Sequence, residues 1–239
     1  MKIKLDLHVH SEASHDGRMS LDDIVREARA RGLDGVAITD HDVTLMSAPE
    51  YDDFLVIPGC EFSTEYGHLL GLFLREPIGK LPFAETVEAI HAQGGLAVIA
   101  HPFERSRDEK RLEPIVAMLD GVEVQNGRAE RRIRDANALA EAFAEAHGMR
   151  RFAGSDAHLP CELGNAALCL EAEELTLSAV REALLSGGAE VCEKRRSAAL
   201  NTARSQYTKL KKTHARPTAY AKWALFAAKC AAEDLFGRY

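Results

Sequence analysis

Apolar and polar residues alternate from Ile3 to Val9 (IKLDLHV), the period-two pattern of a strand with one face in a core. The period changes after Ser20. Leu21, Ile24, Val25 and Ala28 recur at steps of three and four, which puts them on one face of a helix. Ser20 predicts the N-cap of that helix, with Asp23 three residues on, and Gly32 its stop. The exchange then repeats. Short apolar runs predict strands at DGVAIT, FLVIPG, HLLGLFL, LAVIAHP, GVEVQN, RRFAGSDAH and ALCLEA. Helical patterns occupy PFAETVEAIHAQGG, residues 129–147 and TLSAVREALLSGG. Strand followed by helix, repeated, predicts an α/β fold with a mostly parallel sheet. About seven such strands in roughly 190 residues favour a closed or partly closed barrel over a doubly wound open sheet.

Composition adds an appendage to this picture. The chain has 239 residues, 46% of them hydrophobic, enough for one large core or one domain with an extension. The net charge of −7 is unevenly spread: residues 195–239 hold ten Lys/Arg against two Asp/Glu. Such a tail either meets a polyanion or forms a solvated helix surface. Within 196–239, Tyr220, Trp223, Ala227 and Cys230 fall on one helical face. Aromatic stripes of this kind are more often docked on the body than functional, which predicts packing on the barrel through Tyr220 and Trp223. No run of 18 apolar residues predicts a membrane span, and no signal-peptide core precedes the first strand. Five cysteines with no C-x-x-C pair predict free thiols in a cytoplasmic protein. No G-x-G-x-x-G or P-loop points to a nucleotide cofactor.

The chemistry lies at the strand ends. His8 and His10 are two apart on the first strand and so share a side. The next strands run into Asp40 and His41, then Glu61, then His101, then Asn126, then Asp156 and His158. His68 begins its strand, and a tight hairpin through Gly67 would bring it back to Glu61. In barrels, catalytic groups collect at the C-terminal ends of strands. A lone histidine there is usually structural. Six of the ten histidines join the carboxylates of Asp16, Glu61 and Asp156 here. That many imidazoles and carboxylates at one mouth need cations to organise them. His15 competes with its neighbour Asp16, and the Asp-Gly turn favours Asp16. His91, His147 and His214 belong to helices or the tail and are expected to be surface or core.

The segments DLHVHSEASHDG, ITDHD, GCEFST, HLLGLF, AVIAHP and GSDAH, in that order from about residue 4 to about 195, resemble the PHP (polymerase and histidinol phosphatase) family of metal-dependent phosphoesterases. The resemblance implies a distorted (β/α)7 TIM-like barrel spanning 1–195, with 196–239 as a basic helical C-terminal extension. It implies up to three metal positions at the mouth: His8, His10 and Asp156 with Glu61 bridging; Asp16, His41 and His158; and Glu61, His68 and His101. Asp16, Glu61, Asp156 and His158 are the candidate catalytic groups, and Asp40 would orient a histidine ligand. Two departures stand out. Only about twenty residues separate HLLGL from AVIAHP, so a cap over the mouth is expected to be small or absent, and HPFER places Arg105 one position later than an H-P-x-R pattern would. Arg105 and Arg128 are both candidates for gripping phosphate.

No motif supplies a Ser or Cys nucleophile, so the expected nucleophile is a metal-bridging hydroxide attacking a phosphomonoester or phosphodiester in line. Mixed imidazole and carboxylate donors suit two to three Mn²⁺, Fe²⁺ or Zn²⁺ ions better than Mg²⁺ or Ca²⁺. The expected partner is a small phosphorylated substrate, a nucleotide or an oligonucleotide, with nucleic acid kept open by the basic tail. Two other classes compete. An amidohydrolase-type barrel also begins H-x-H but adds a lysine at a middle strand end, and none of the strand ends carries one. A nucleic-acid-binding or exonuclease PHP module would keep the fold without requiring every ligand.

Overall fold

The first strand is also the last to be closed upon, and this organises the molecule. In a computed structural model that describes residues 1–45 and 48–237, the elements run β1 (Lys2–Val9), α1 (Leu21–Ala30), β2 (Gly35–Ile38), β3 (Leu55–Thr64), β4 (Gly67–Leu72), α2 (Phe83–Ala92), β5 (Leu96–Ile99), β6 (Gly121–Asn126), α3 (Ala136–Ala146), β7 (Arg150–Gly154), β8 (Ala166–Glu171), α4 (Leu177–Ser186), β9 (Glu190–Lys194), α5 (Ala199–Lys212) and α6 (Pro217–Leu235). The sheet order is β7-β6-β5-β4-β3-β2-β1-β8-β9. β1 pairs with β2 over Leu5–Val9 and with β8 only over Lys2–Leu5. Its C-terminal end instead bonds to the segment after β7: Asp156 N donates to His8 O and His10 N to Ala157 O, both at 2.8 Å. A nearly closed barrel of seven strands results, with β8 and β9 as an antiparallel flap. Closure needs a residue without a side chain at 154. A Cβ on Gly154 would lie 2.2 Å from His8 Cβ and 2.6 Å from His8 N.

The expected barrel is therefore present, but its sheet is mixed. β4 runs antiparallel to both β3 and β5, because the β3–β4 connection is a tight hairpin. Gly67 takes φ +117°, a conformation that only glycine adopts readily. One apolar cluster draws on Leu5, Leu7, Ile57, Leu70, Val98 and Phe152 from successive strands and is closed by Val180 and Leu184 of α4. Outside, α1 lays Ile24, Val25 and Ala28 on Val36, Ile38 and Val56. Its cap is the one expected, with Ser20 Oγ accepting from Asp23 N at 3.2 Å.

Four expectations are corrected. Residues 129–147 do not form one helix: 129–131 is a 3-10 turn and α3 starts at Ala136. Tertiary bonds override propensity there, because Asn137 both accepts from Asn126 N and donates to Asn126 O, pinning the start of α3 to β6. β9 was not expected; its sequence, EVCEK, alternates but leaves even its inner face half exposed. Cys169 and Cys192, facing each other across β8 and β9, form a disulfide, so only Cys60, Cys161 and Cys230 are free; the support that five free thiols lent to a cytoplasmic location is gone. The aromatic stripe of the tail docks on α5 rather than on the barrel. Trp223 Nε1 donates to Ala203 O at 2.7 Å, and Tyr207 meets the rings of both Tyr220 and Trp223. α5 meets the barrel, and α6 adds Phe226, which lies under the Arg131 guanidinium at 5.0 Å. Residues 238 and 239 of the tail lie outside the described residues. No described helix is long and apolar enough to cross a membrane.

Candidate metal centre

Apart from Asp40, the imidazoles and carboxylates at the strand ends from β1 to β7 turn into one mouth. His8 and His10 leave the end of β1 on one side, His41 follows β2, Glu61 lies in β3, and the Gly67 hairpin returns His68 to it at 2.7 Å. His101 follows β5, and Asp156 and His158 follow β7. Two of these residues have backbones in the left-handed region, His101 at φ +28° and Asp156 at φ +56°. Such positions cost on the order of 1–3 kcal/mol and persist where surrounding bonds enforce them. Here His101 N donates to Glu123 Oε2 at 2.8 Å, and Asp156 N to His8 O.

The donor atoms fall into four groups able to hold an ion: His10, Asp16, His41 and His158; His8, His10 and Asp156; His8, Glu61 and His101; and His41, Glu61 and His68. All nine residues expected as ligands are included, and the shared members link the groups into one centre. Glu61 is the hub. Its two oxygens lie 2.7 Å from His41 Nδ1 and His68 Nδ1, 3.0 Å from His101 Nε2, 3.4 Å from His10 Nε2 and 3.5 Å from His8 Nε2. His101 Nε2 hydrogen-bonds to Glu61 Oε1, but most of this proximity is not hydrogen bonding. His8 Nε2, both ring nitrogens of His10, Glu61 Oε2 and His68 Nδ1 are buried without a hydrogen-bond partner. Buried polar atoms are ordinarily satisfied, so donor atoms that converge unsatisfied on common points fit divalent ions bound between them. His15 stays outside all four groups, stacked on His41 at 4.8 Å between ring centroids.

The titration of these groups follows from burial and from one another. Burial alone would keep His41 neutral, but Glu61 and Asp16 outweigh it and lift its pKa to about 11. Glu61 lifts His101 in the same way to about 9. Burial opposes a charge on His8 too, yet Glu123, Asp156 and Glu61 hold its pKa well above the ordinary value. Burial and the neighbouring His158 push His10 the other way. Glu61, Asp16 and Asp156 stay ionised: burial opposes their charge, and the facing imidazoles overcome it.

The groups that hold the ligands in place are mostly ones the sequence reading passed over. Glu123 on β6 is buried and accepts from His8 Nδ1 at 2.9 Å, from His101 N, and from Asn126 Nδ2 at 3.0 Å. A carboxylate only accepts, so when His8 gives up a proton to bind an ion, the remaining one stays on Nδ1 and the Nε2 lone pair faces the mouth. His158 is fixed likewise, with Nδ1 donating to Asp156 O at 2.9 Å. Asp6, also buried, accepts from Ser155 N and Oγ and from Gly164 N, anchoring the chain on both sides of Asp156 and His158. Burial pushes its pKa up to about 6 despite those donors. The period-two pattern of GVEVQN offered the one available signal for Glu123, an acidic residue in an otherwise buried strand.

Asp40 does not orient a histidine, as had been expected. It accepts from Ser11 N and Oγ at 2.7 and 2.6 Å and from Ser14 N at 3.1 Å, and so shapes the loop that presents Asp16. Arg128 is not a free phosphate grip: it forks onto Glu162 at 2.9 and 2.5 Å and donates to Ser205 Oγ at 3.1 Å. Arg105 is exposed at the rim, with Glu104 as its neighbour. The mouth is not uncapped either. A cavity of about 140 Å³ is lined on one side by the metal-type ligands and on the other by Thr202, Ser205 and Gln206 of α5. Arg131 and Arg132 complete its rim and also line a neighbouring cavity of about 760 Å³ with Arg196 and Lys229.

Comparison with known proteins agrees with this geometry. Residues 6–156 match the family profile of the PHP domain, and residues 134–188 match that of the PHP-associated segment. An uncharacterised protein of Methanocaldococcus jannaschii is 37% identical over 141 residues, 52% of this chain and 82% of its own. Among solved structures, a two-domain protein of Bacteroides vulgatus containing a predicted PHP-like metal-dependent phosphoesterase shares 19% identity at a TM-score of 0.62, over 87% of this chain and 70% of its own. A lesion-specific endonuclease of Pyrococcus furiosus shares 21% at 0.57, over 80% of this chain and 58% of its own. An amidohydrolase of Chromobacterium violaceum shares 19% at 0.54, over 78% and 97%. At these identities the structural likeness is one of fold.

Proposed function

The chain belongs to the PHP domain family, and from that membership we propose that it hydrolyses phosphate esters with two or three divalent ions held at the barrel mouth. The observation that carries the reading is the set of buried, unsatisfied donor atoms on His8, His10, Glu61 and His68 that face common points. Bound ions would supply Lewis-acid charge for the phosphoryl oxygens and bring the pKa of a water near neutrality, giving a nucleophile at pH 7. The mixed imidazole and carboxylate donors favour Mn²⁺, Fe²⁺ or Zn²⁺. The chain's own residues then bind and orient. His8, His10 and Asp156 would hold one position, Asp16, His41 and His158 a second, and His68 and His101 with Glu61 a third. Glu123 and the Asp156 carbonyl keep the ring protons of His8 and His158 on Nδ1, away from the mouth. Arg105, Arg131 and Arg132 at the rim offset the negative charge of an arriving phosphate. The cavity, about 140 Å³, is smaller than the roughly 300 Å³ at which pockets for drug-sized ligands begin. It admits the reacting phosphoryl group and leaves the remainder of the substrate outside.

A nucleic-acid end as substrate is a second reading, favoured by the continuity of Arg131 and Arg132 from the mouth into the basic neighbouring cavity. The amidohydrolase reading lacks its lysine, since the mouth is lined by no lysine. The deciding experiment assays metal-stripped and Mn²⁺-, Fe²⁺- or Zn²⁺-loaded protein against phosphomonoesters, phosphodiesters, short single strands and a simple amide or lactone. Phosphoester hydrolysis that chelation abolishes and metal restores is expected. Turnover of the amide or lactone alone, by fully loaded protein, would reject the proposal.

A further inference from the structure

The family match ends at residue 188, yet the segment beyond it reaches back into the mouth. α5 crosses the barrel opening and makes two independent connections to the same group of donors: His10, Asp16, His41 and His158. The first runs through Lys212, the last residue of α5. Its Nζ donates to Glu12 O at 2.6 Å, Ser14 O at 2.8 Å and Gly17 O at 3.0 Å. These three carbonyls straddle Asp16, so one ammonium, with all three of its donors engaged, ties down the loop that presents that carboxylate. Arg18, one residue past the loop, is held by Thr208 of the same helix. The second connection runs through Ser205. Its hydroxyl accepts from Arg128, whose guanidinium forks onto Glu162, and Glu162 in turn accepts from His158 N at 3.1 Å. Glu162 and Arg128 are both buried as side chains, at 0% and 10% exposure, so this connection is shielded from water.

α5 is itself fixed from behind. Asp234 of α6 accepts from the N–H groups of Ala199 and Leu200 at its N-terminus, Trp223 bonds to Ala203 O, and Arg196 just before it pairs with Glu130. The two helices therefore act as a brace with its tip at Lys212.

We infer that the C-terminal hairpin is part of the metal centre, with Lys212 and Ser205 as positioning residues that set the Asp16–His158 ion position from outside the family-matched chain. The inference rests on the proposed metal-dependent function and narrows it. One ion position depends on the hairpin, while those built on His8, Asp156, Glu61, His68 and His101 depend on the barrel. Without the ammonium, the carbonyls of Glu12, Ser14 and Gly17 lose their shared tie, the loop keeps its bonds to Asp40 and Met19, and Asp16 samples orientations that miss the ion.

The test titrates Mn²⁺ into metal-free full-length protein and resolves the equivalents by calorimetry or chelator competition. Lys212→Met keeps the aliphatic stem and removes the donors. Ser205→Ala releases Arg128. Lys222→Met, on the outer helix, is the control. The expected result is that one Mn²⁺ equivalent weakens about tenfold or more in Lys212→Met, and again in Ser205→Ala, with the other equivalents within twofold. The control should match the parent chain, and the melting temperatures of the metal-free variants should move little. Unchanged affinity of every equivalent in both variants would overturn the inference. So would a uniform weakening of all equivalents together with a lowered melting temperature, which is what loss of general packing would produce. If the parent chain binds no Mn²⁺ at all, it is the proposed function that fails.

Discussion

Replacing Glu123 with glutamine changes one oxygen to an amide nitrogen in a buried strand, and the structure fixes what that does. Glu123 receives three donors on two oxygens: His8 Nδ1 on Oε1, and His101 N with Asn126 Nδ2 on Oε2. Glutamine can face them in two ways. If its oxygen keeps His101 N and Asn126, its NH₂ confronts His8 Nδ1, which must then surrender its proton; the proton moves to Nε2 and the lone pair that faced the mouth is lost. If the amide flips, His8 keeps its tautomer, but the NH₂ meets the N–H of His101 and the Asn126 amide, leaving donors buried against a donor. Each unsatisfied buried group costs about 1–3 kcal/mol. At about 1.4 kcal/mol per factor of ten, that is roughly 5- to 150-fold in the affinity of the ion held by His8 or of the one held by His101. The rate of phosphoester hydrolysis at sub-saturating metal should fall by the same factor. Chelator competition gives the affinity, steady-state hydrolysis at limiting and saturating Mn²⁺ gives the rate, and circular dichroism confirms the fold. Glu123→Gln protein that binds metal and turns over within twofold of the parent would refute the tautomer argument.

Three further outcomes are expected. Glu61→Gln and Asp156→Asn should each lower hydrolysis by about three orders of magnitude or more while the chain stays folded, because each removes an ionised oxygen from the donor groups; His147→Ala, at an exposed residue whose ring lies on Phe143, should do little, and near-normal turnover of either carboxylate variant at full metal occupancy would move the site elsewhere. Gly154→Ala should force β7 away from β1 at His8 and cost about 1–3 kcal/mol, seen as a fall of about 2–4 °C in Tm per kcal/mol; an unchanged Tm would contradict the close approach. His41 and His101, with pKa values lifted from 6.5 to about 11 and 9, are charged in the metal-free chain at pH 7, so their ion pairs stabilise it fully below about pH 6.5 and progressively less as pH rises through 9 and 11; metal must displace those protons, so affinity should rise with pH and calorimetry in buffers of differing ionisation enthalpy should detect proton release, whereas metal binding without it would contradict the assignment.

Much of this protein was set by local pattern. The exchange between period two and period 3.6 located most of the barrel strands and the helices α1, α2 and α4, since each needs only its own residues to define an apolar face. The metal-type ligands were legible for the same reason: strand ends are local features, and His8, His10, His41, Glu61, His101, Asp156 and His158 stand at them. The Gly67 turn told where His68 would return. What holds those ligands is a different matter. Asp6 and Glu123 look like ordinary polar positions until β6 and β7 are folded against β1. Arg128 looks like an anion grip until Glu162, 34 residues on, closes on it. The helix expected from residue 129 began at Ala136 because a bond pair between Asn126 and Asn137 outweighed helix propensity. The Cys169–Cys192 pair depended on β9, whose half-exposed alternation carries no apolar signal. The mouth gained a wall because Lys212 and Ser205 of α5, distant in sequence, meet their partners at the Asp16 loop and Arg128. Periodicity records which face of an element is buried; the partner that covers it is decided by contacts across tens to hundreds of residues, and those exist only once the chain has closed.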